Sequence, residues 1–320
     1  MRYICESLPG GHTLHICMEK SGEVCVGGTR VLKYPLPEDA FSDCERLCET
    51  MAYKCAWARL PWYGAKAVID ASPSDLTKAD WDAYAKILNG LGGSFLTATD
   101  VGTSIKDLEY LKTMTPYVST IDTAHATAYV VVECIKAVAR SRNIPINSAL
   151  VQGVGKVGSL VAEMLHKTSP SRIFVCDIDK SRCENLRRLD PNVFHVIPPD
   201  EIAMEVDYFV PCSIGPVITK DNVSDIKALV ICGAANNQLE NDELAELLND
   251  RGILYIPDFI ANSGGLLKVA IDERVASSDS LVSVSKKLEL LLLKSKSFDK
   301  FLLYLAKDQC RRRLLLVKNS

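Results

Sequence analysis

Two lysines and one aspartate stand where short apolar segments begin or end. Lys54 lies late in a helical stretch, Lys66 just ahead of Ala67-Val68-Ile69, and Asp100 just after Phe95-Leu96-Thr97. Side chains at the ends of regular elements can reach a common site. Lys54 offers a fixed cation for a carboxylate. A lysine gives up its proton more readily when partial burial and a second cation disfavour its charge, which suits Lys66 to act as a base. Asp100, just past its strand, can reach the same cleft. Each residue also has a plainer reading taken alone: a surface lysine for Lys54 and Lys66, and for Asp100 a helix cap ahead of Val101-Gly102, a place aspartate favours.

A second constellation lies mid-chain. Gly153-Val154-Gly155-Lys156-Val157-Gly158 follows the apolar Ala149-Leu150-Val151 and precedes a helix-like stretch from Ser159 to His166. Strand, G-x-G-x-x-G and helix in that order open a dinucleotide-binding unit: the glycines permit the tight turn, the approach to a pyrophosphate and the packing of helix on strand. The helix N-terminus then presents unpaired N–H groups to phosphate. Arg172 to Asp177 reads as a second strand ending in a carboxylate, near the ~20-residue distance expected of a ribose ligand. An acid at Asp177 favours NAD over NADP, a preference that Lys180 and Arg182 moderate.

The elements that must position these residues follow from the pattern. Arg2–Cys5, Thr13–Met18 and Glu23–Val26 alternate as strands separated by glycine turns. A helix starts after Pro37, with Glu38 and Asp39 in its first turn, and runs past Met51 towards Trp57. Ala67–Ile69 and Phe95–Thr97 are short strands. Between them a helix carries Trp81, Tyr84, Ile87 and Leu88 on one face. A long helix over Ala124–Arg140 leads to the glycine run. Beyond it, Tyr208–Val210, Ala228–Ile231 and Ile253–Ile256 alternate with helix-like segments, as in a parallel sheet covered on both faces. The fold class is α/β: a leading α/β domain over 1–122, a doubly wound Rossmann-type domain over 123–282, and C-terminal helices over 283–320 returning to the first domain.

Composition bounds the function. At 320 residues, with 48% hydrophobic and 24% charged residues and a formal net charge of −3, the chain has room for two domains and no broad basic field for nucleic acid. Arg311-Arg312-Arg313 reads as a solvated helix end. The 12 cysteines are scattered, without paired C-x-x-C motifs, and suit a reducing cytoplasm; Cys44, Cys48 and Cys55 read as buried thiols on one helix, and nothing implies a metal. No segment reaches the ~18 to 20 apolar residues of a membrane span.

Several strings together resemble the glutamate/leucine/phenylalanine/valine dehydrogenases: Met51-Ala52-Tyr53-Lys54, the turn ending in Lys66, Thr99-Asp100-Val101-Gly102-Thr103, Val151-Gln152-Gly153-Val154-Gly155, Val210-Pro211-Cys212, Ala234-Ala235-Asn236-Asn237-Gln238-Leu239 and Asn262-Ser263-Gly264-Gly265. The resemblance runs in order from about Gly27 to Glu273 and is nearest to the leucine and phenylalanine branch. It implies reversible oxidative deamination of an L-amino acid to a 2-oxo acid and ammonia with NAD, in a homo-oligomer.

Carried over by resemblance, Lys66 activates water and Asp100 shuttles protons, while Lys54, helped by the Gly27-Gly28 turn, holds the substrate carboxylate and Asn262 orients the substrate. Thr127 contacts the nicotinamide. Gly153 to Gly158, Asp177, Ile178, Cys212, Ser213, Ala234, Ala235, Asn236 and Asn262 line the cofactor. Val26, where glutamate enzymes carry lysine, and Ala98 wall the side-chain pocket. An apolar Val26 cannot compensate a second buried carboxylate, so the expected substrate is a hydrophobic amino acid.

Three departures stand out: Tyr63 where glycine is usual, a shortened Ser119–Ala126 segment, and Lys268 where asparagine is common. They keep open a related oxidoreductase with imine-reducing or biosynthetic chemistry, or an inactive cofactor-binding homologue. His125, close to Thr127, reads either as a helix-start residue or as a catalytic group.

Overall fold

The computed structural model describes residues 1–295 and 301–318. The chain divides into two compact units, Met1–Asp122 and Thr123–Ser320.

The first unit is built on a five-stranded sheet of order β1-β2-β4-β3-β5. Its strands are β1 (Arg2–Ser7), β2 (Thr13–Met18), β3 (Cys25–Leu32), β4 (Tyr63–Asp70) and β5 (Phe95–Thr99). β1, β2 and β4 pair antiparallel, and β3 runs parallel to both β4 and β5. Helix α1 (Pro37–Ala58) starts at Pro37, whose missing N–H costs nothing there, and Glu38 and Asp39 follow in the first turn. It covers one face of the sheet, burying Ala40, Cys44, Leu47 and Cys48 against Cys17 and Val68. Helix α2 (Lys78–Gly90) serves the opposite face, where the Tyr84 hydroxyl meets Thr29 at 2.6 Å and Thr29 in turn meets Thr97 at 2.7 Å. Helix α3 (Ile105–Lys112) packs on α2 and β5.

Two segments read as turns are strand. Tyr63-Gly64-Ala65 begins β4, and Gly27-Gly28 lies inside β3. A Cβ at Gly27 would stand 1.8 Å from the Ala65 carbonyl oxygen, and one at Gly64 2.3 Å from the Ala52 nitrogen. These glycines therefore admit close backbone approach and do not turn the chain.

The second unit holds a six-stranded sheet of order β11-β10-β9-β6-β7-β8, every pair parallel. It comprises α4 (Ala124–Arg142), β6 (Ser148–Gln152), α5 (Lys156–His166), β7 (Arg172–Cys176), α6 (Lys180–Leu189), β8 (Phe194–Val196), β9 (Tyr208–Pro211) and β10 (Val230–Ile231). After them come α7 (Glu243–Asp250), β11 (Leu254–Tyr255), α8 (Asp258–Ala261), α9 (Gly264–Asp272), α10 (Asp279–Ser295) and α11 (Leu302–Lys318). The strand order reverses between β6 and β9, the switch point at which doubly wound sheets take their ligands. β10 and β11 are two residues each, shorter than their apolar runs.

Residues 283–320 were expected to return to the first unit; they group with the second. Val284, Leu288, Leu291 and Leu292 are buried on α10, which packs along α4 and is pinned by Arg140 to Glu289 and by Arg142 to the Leu292 carbonyl. Tyr304 of α11 donates to Glu246 of α7 at 2.8 Å. An apolar stripe facing another within the same unit satisfies these helices. Residues 296–300 and 319–320 of this segment lie outside the described residues. Among the described residues no helix is long and apolar enough to cross a membrane.

Candidate active site

In the first unit, register brings four of the expected residues together. Gly28 pairs with Ala98 and Val26 with Leu96 across β3 and β5, while Val26 pairs with Gly64 across β3 and β4. Alternation puts Val26, Gly28, Gly64, Lys66 and Ala98 on one face. Asp100 follows β5 directly, and its Cβ lies 2.9 Å from where a Gly28 side chain would begin. The absence of that side chain lets Asp100 swing over β3 to Lys66.

Lys66 Nζ lies 2.7 Å from Asp100 Oδ2, with side chains 5% and 9% exposed. The same oxygen accepts from Arg30 Nε at 3.0 Å. Arg30 NH1 donates onward to Asp43 Oδ2 at 2.7 Å, and Asp43 also accepts from Tyr34 at 2.6 Å and from Arg46 at 3.1 Å. The backbone N–H of Asp100 is held by Thr103 Oγ1 at 2.8 Å. Burial alone would raise the Asp100 pKa, but the charges of Lys66 and Arg30 outweigh it and hold the carboxyl well below the usual carboxylate range. These two cations therefore favour the ionised form of Asp100 at neutral pH.

Lys54 is buried on α1 at 7% exposure, and Val26 is buried on β3. Tyr63, the bulky residue where glycine is usual, opens β4. Alternation along β4 turns it away from Lys66, and its hydroxyl accepts from Lys20 at 3.0 Å. It does not narrow the face that carries Gly28 and Ala98. The residues sequence reasoning missed are Arg30, Asp43 and Tyr34. The signal available was Arg30 itself, an arginine two residues past Gly28 and so on the Lys66 face.

In the second unit, Gly153 has φ 83° and a Cβ there would meet the Ser213 nitrogen at 2.6 Å; one at Gly158 would meet the Gly153 oxygen at 1.9 Å and the Cys212 Cβ at 3.1 Å. Cys212 and Ser213 therefore lie against the glycine loop. Gly155 caps α5, and the nearest atom to a Cβ there is Arg182 NH1 at 3.6 Å, so this glycine faces open space at the helix N-terminus. Asp177 Oδ2 accepts from Val154 N at 2.8 Å, tying the acid after β7 to the loop. Ile178 beside it is 92% exposed. Lys156 and Val157 form the first turn of α5.

A second group forms around Asn262. Its Nδ2 donates to the carbonyls of Ala234 and Ala235 and to Asn236 Oδ1, at 3.3, 3.2 and 3.0 Å, while its buried Oδ1 has no partner. Such an orphaned acceptor costs free energy until a ligand donates to it. Thr127 donates to the Thr123 carbonyl at 2.9 Å. A Cβ at Gly265 would meet its Oγ1 at 2.9 Å, which places Thr127 beside the start of α9. Open backbone at Gly155, the bound carboxylate of Asp177 and the unpaired Asn262 oxygen fit a dinucleotide. Burial pushes the Cys212 thiol up to about 12, which makes it a wall and no nucleophile. Lys268 pairs with Asp272 at 2.8 Å along α9, and His125 is exposed at the start of α4.

Residues 16–117 match a family model described as Glu/Leu/Phe/Val dehydrogenase, dimerisation domain, and residues 174–297 match one described as Glutamate/Leucine/Phenylalanine/Valine dehydrogenase. The chain belongs to the Glu/Leu/Phe/Val dehydrogenase family. Within it, the chain is 35% identical over 295 residues to a phenylalanine dehydrogenase of Lysinibacillus sphaericus, covering 87% of this chain and 74% of that protein. It is 34% identical over 259 residues to a leucine dehydrogenase of Bacillus cereus, covering 77% and 70%. The crystal structure of L-tryptophan dehydrogenase from Nostoc punctiforme matches with TM-score 0.81 and 30% identity, over 100% of this chain and 97% of that one. A hetero-hexameric glutamate dehydrogenase from Thermus thermophilus shares the fold at TM-score 0.77 and 18% identity, over 99% and 88%. The chain is accordingly an oxidoreductase of the amino acid dehydrogenase type, with a Rossmann-type parallel-sheet domain behind an N-terminal α/β domain.

Proposed function

We propose that this protein catalyses the NAD-dependent, reversible oxidative deamination of a hydrophobic L-amino acid. The amino acid, NAD and water give the 2-oxo acid, ammonia, NADH and a proton. The observation that carries the reading is the buried Lys66–Asp100 pair beside the side-chain-free Gly28. Bound NAD supplies the hydride acceptor for the substrate Cα–H.

The chain's own residues supply the rest. Lys54 holds the α-carboxylate. Asp100 takes a proton from the substrate ammonium group, and departure of the Cα hydride then leaves an iminium carbon open to attack. Lys66 takes the proton of the water that adds there, and Asp100 returns a proton to nitrogen as ammonia leaves. Gly153 to Gly158 and Asp177 would hold the pyrophosphate and ribose, with Thr127, Ala234 and Asn262 at the nicotinamide end. The relatives named for phenylalanine, leucine and tryptophan, together with Val26, support an apolar substrate side chain. The family model's description as a dimerisation domain supports a homo-oligomer. Twelve free cysteines suit a reducing cytoplasm.

The test is a spectrophotometric panel: NAD reduction with leucine, valine, phenylalanine, tryptophan and glutamate, and NADH oxidation with the matching 2-oxo acids with and without ammonia. Ammonia-dependent turnover with glutamate the poorest substrate is the expected result. Turnover without ammonia, or glutamate the best, overturns it.

For the cofactor, Asp177→Ser removes the carboxylate that a 2′-phosphate would meet and leaves Arg182, 3.9 Å from it, free to pair with phosphate. The kcat/KM ratio for NAD over NADP is expected to fall by about tenfold, which is 1.4 kcal/mol. An unchanged ratio would mean that Asp177 is not the ribose ligand.

A further inference from the structure

The Asp100 carboxylate is gripped on one oxygen only. Lys66 and Arg30 both meet Oδ2, at 2.7 and 3.0 Å. Among the described residues Oδ1 accepts no hydrogen bond, and the Asp100 side chain keeps only 9% of its surface exposed. Arg30 is itself fixed at its far end, where NH1 meets Asp43 of α1 at 2.7 Å, and Asp43 is held in turn by Tyr34 and Arg46. Arg30 and Asp43 are 7% and 8% exposed, so these bonds form with little competition from water. The charged and titratable groups facing Asp100, directly or through its guanidinium partner, are Lys66 on β4, Arg30 on β3, Asp43 and Arg46 on α1, and Tyr34 after β3.

We infer that Arg30 is a positioning residue for proton transfer: anchored to α1 through Asp43, it clamps Asp100 Oδ2 and reserves Oδ1 for the substrate amino group. The inference rests on the dehydrogenase reading above. A guanidinium suits the task because it is planar, always charged and carries several donors in a rigid fork, so it can bridge two carboxylates at fixed angles. A lysine can offer charge but not both bridges in that geometry. Without the clamp, Asp100 has only Lys66 to orient it, and Lys66 must also act as the base. The carboxylate can then rotate either oxygen towards substrate and loses its preset alignment.

The experiment compares wild type with Arg30→Gln and Arg30→Lys. Steady-state kinetics are read across pH, and the titration of Asp100 is followed by carboxyl NMR in protein without substrate. For Arg30→Gln, kcat is expected to fall by about 10²-fold, while KM changes by only a few-fold. Loss of the cation favours the protonated carboxyl, so the acid limb of the kcat profile and the Asp100 titration both move to higher pH. Arg30→Lys is expected to lose about tenfold in kcat with a smaller pH displacement.

A kcat within twofold of wild type in either variant overturns the inference. So does an Asp100 titration in Arg30→Gln that superimposes on wild type. If Arg30→Gln does not fold, Arg30→Lys keeps the buried charge and decides by its kcat. Wild-type protein that turns over no amino acid would instead refute the dehydrogenase reading, and the substrate-free titration of Asp100 still tests the clamp.

Discussion

Lys66→Ala is expected to lower kcat by about 10²- to 10⁴-fold, the range a positioned proton-transfer group contributes, equivalent to about 3–5 kcal/mol of barrier. Alanine cannot take the proton of the attacking water, and no other described residue stands 2.7 Å from Asp100 Oδ2 to do so, since Arg30 stays protonated. Cofactor affinity should hardly change, because the glycine loop and Asp177 belong to the other compact unit. Lys54→Ala should behave differently. It removes a cation that meets the carboxylate in ground and transition states alike, so KM rises chiefly and kcat moves less. Steady-state kinetics with the best amino acid from the panel, plus NAD titration by fluorescence, separate the two. Lys66→Ala retaining most of its kcat, with circular dichroism showing a folded protein, would end the assignment of Lys66 as base.

How much of this was legible beforehand depended on whether a residue's surroundings repeat its own signal. The helix after Pro37 was readable because proline, the acidic first turn and the apolar stripe all agree, and α1 runs Pro37–Ala58. The Rossmann half was readable because strand, glycine loop, helix and Asp177 reinforce one another. Glycine misled in the first unit. Gly27-Gly28 and Tyr63-Gly64 look like punctuation, yet they lie within strands whose neighbours come too close for a side chain. Only tertiary contact distinguishes those two uses of glycine. Arg30 was overlooked for a similar reason: an arginine in a strand reads as solvent-facing, and the two carboxylates that bury it lie 13 and 70 positions away. For the C-terminal helices the sequence is silent on a partner, because an apolar stripe says that a helix packs, not on what; Val284 and Leu288 are buried on α10, which packs along α4.

Gly27→Ala is expected to destabilise the first unit by about 3 kcal/mol or more, on the severe side of overpacking changes. The added Cβ would stand 1.8 Å from the Ala65 oxygen and 2.6 Å from its carbonyl carbon, both backbone atoms of the neighbouring strand, which no rotamer can move aside. The pairing of β3 with β4 already skips Gly27 and Gly28, running from Val26 to Thr29. Relief must therefore come from parting the strands at the point where Ala65 leads into Lys66. For a unit of this size about 3 kcal/mol lowers the melting temperature by roughly 10 °C. The same displacement moves Lys66 relative to Asp100, so the variant that remains folded at low temperature should also lose kcat. Gly90→Ala is the control. It sits at the end of α2 with nothing within 4 Å of a new Cβ, and alanine there should be neutral or stabilising by up to about 1 kcal/mol. Thermal unfolding and kcat of the two variants together test the point. A Gly27→Ala protein with wild-type melting temperature and activity would show that the Ala65 carbonyl does not occupy the space this structure gives it.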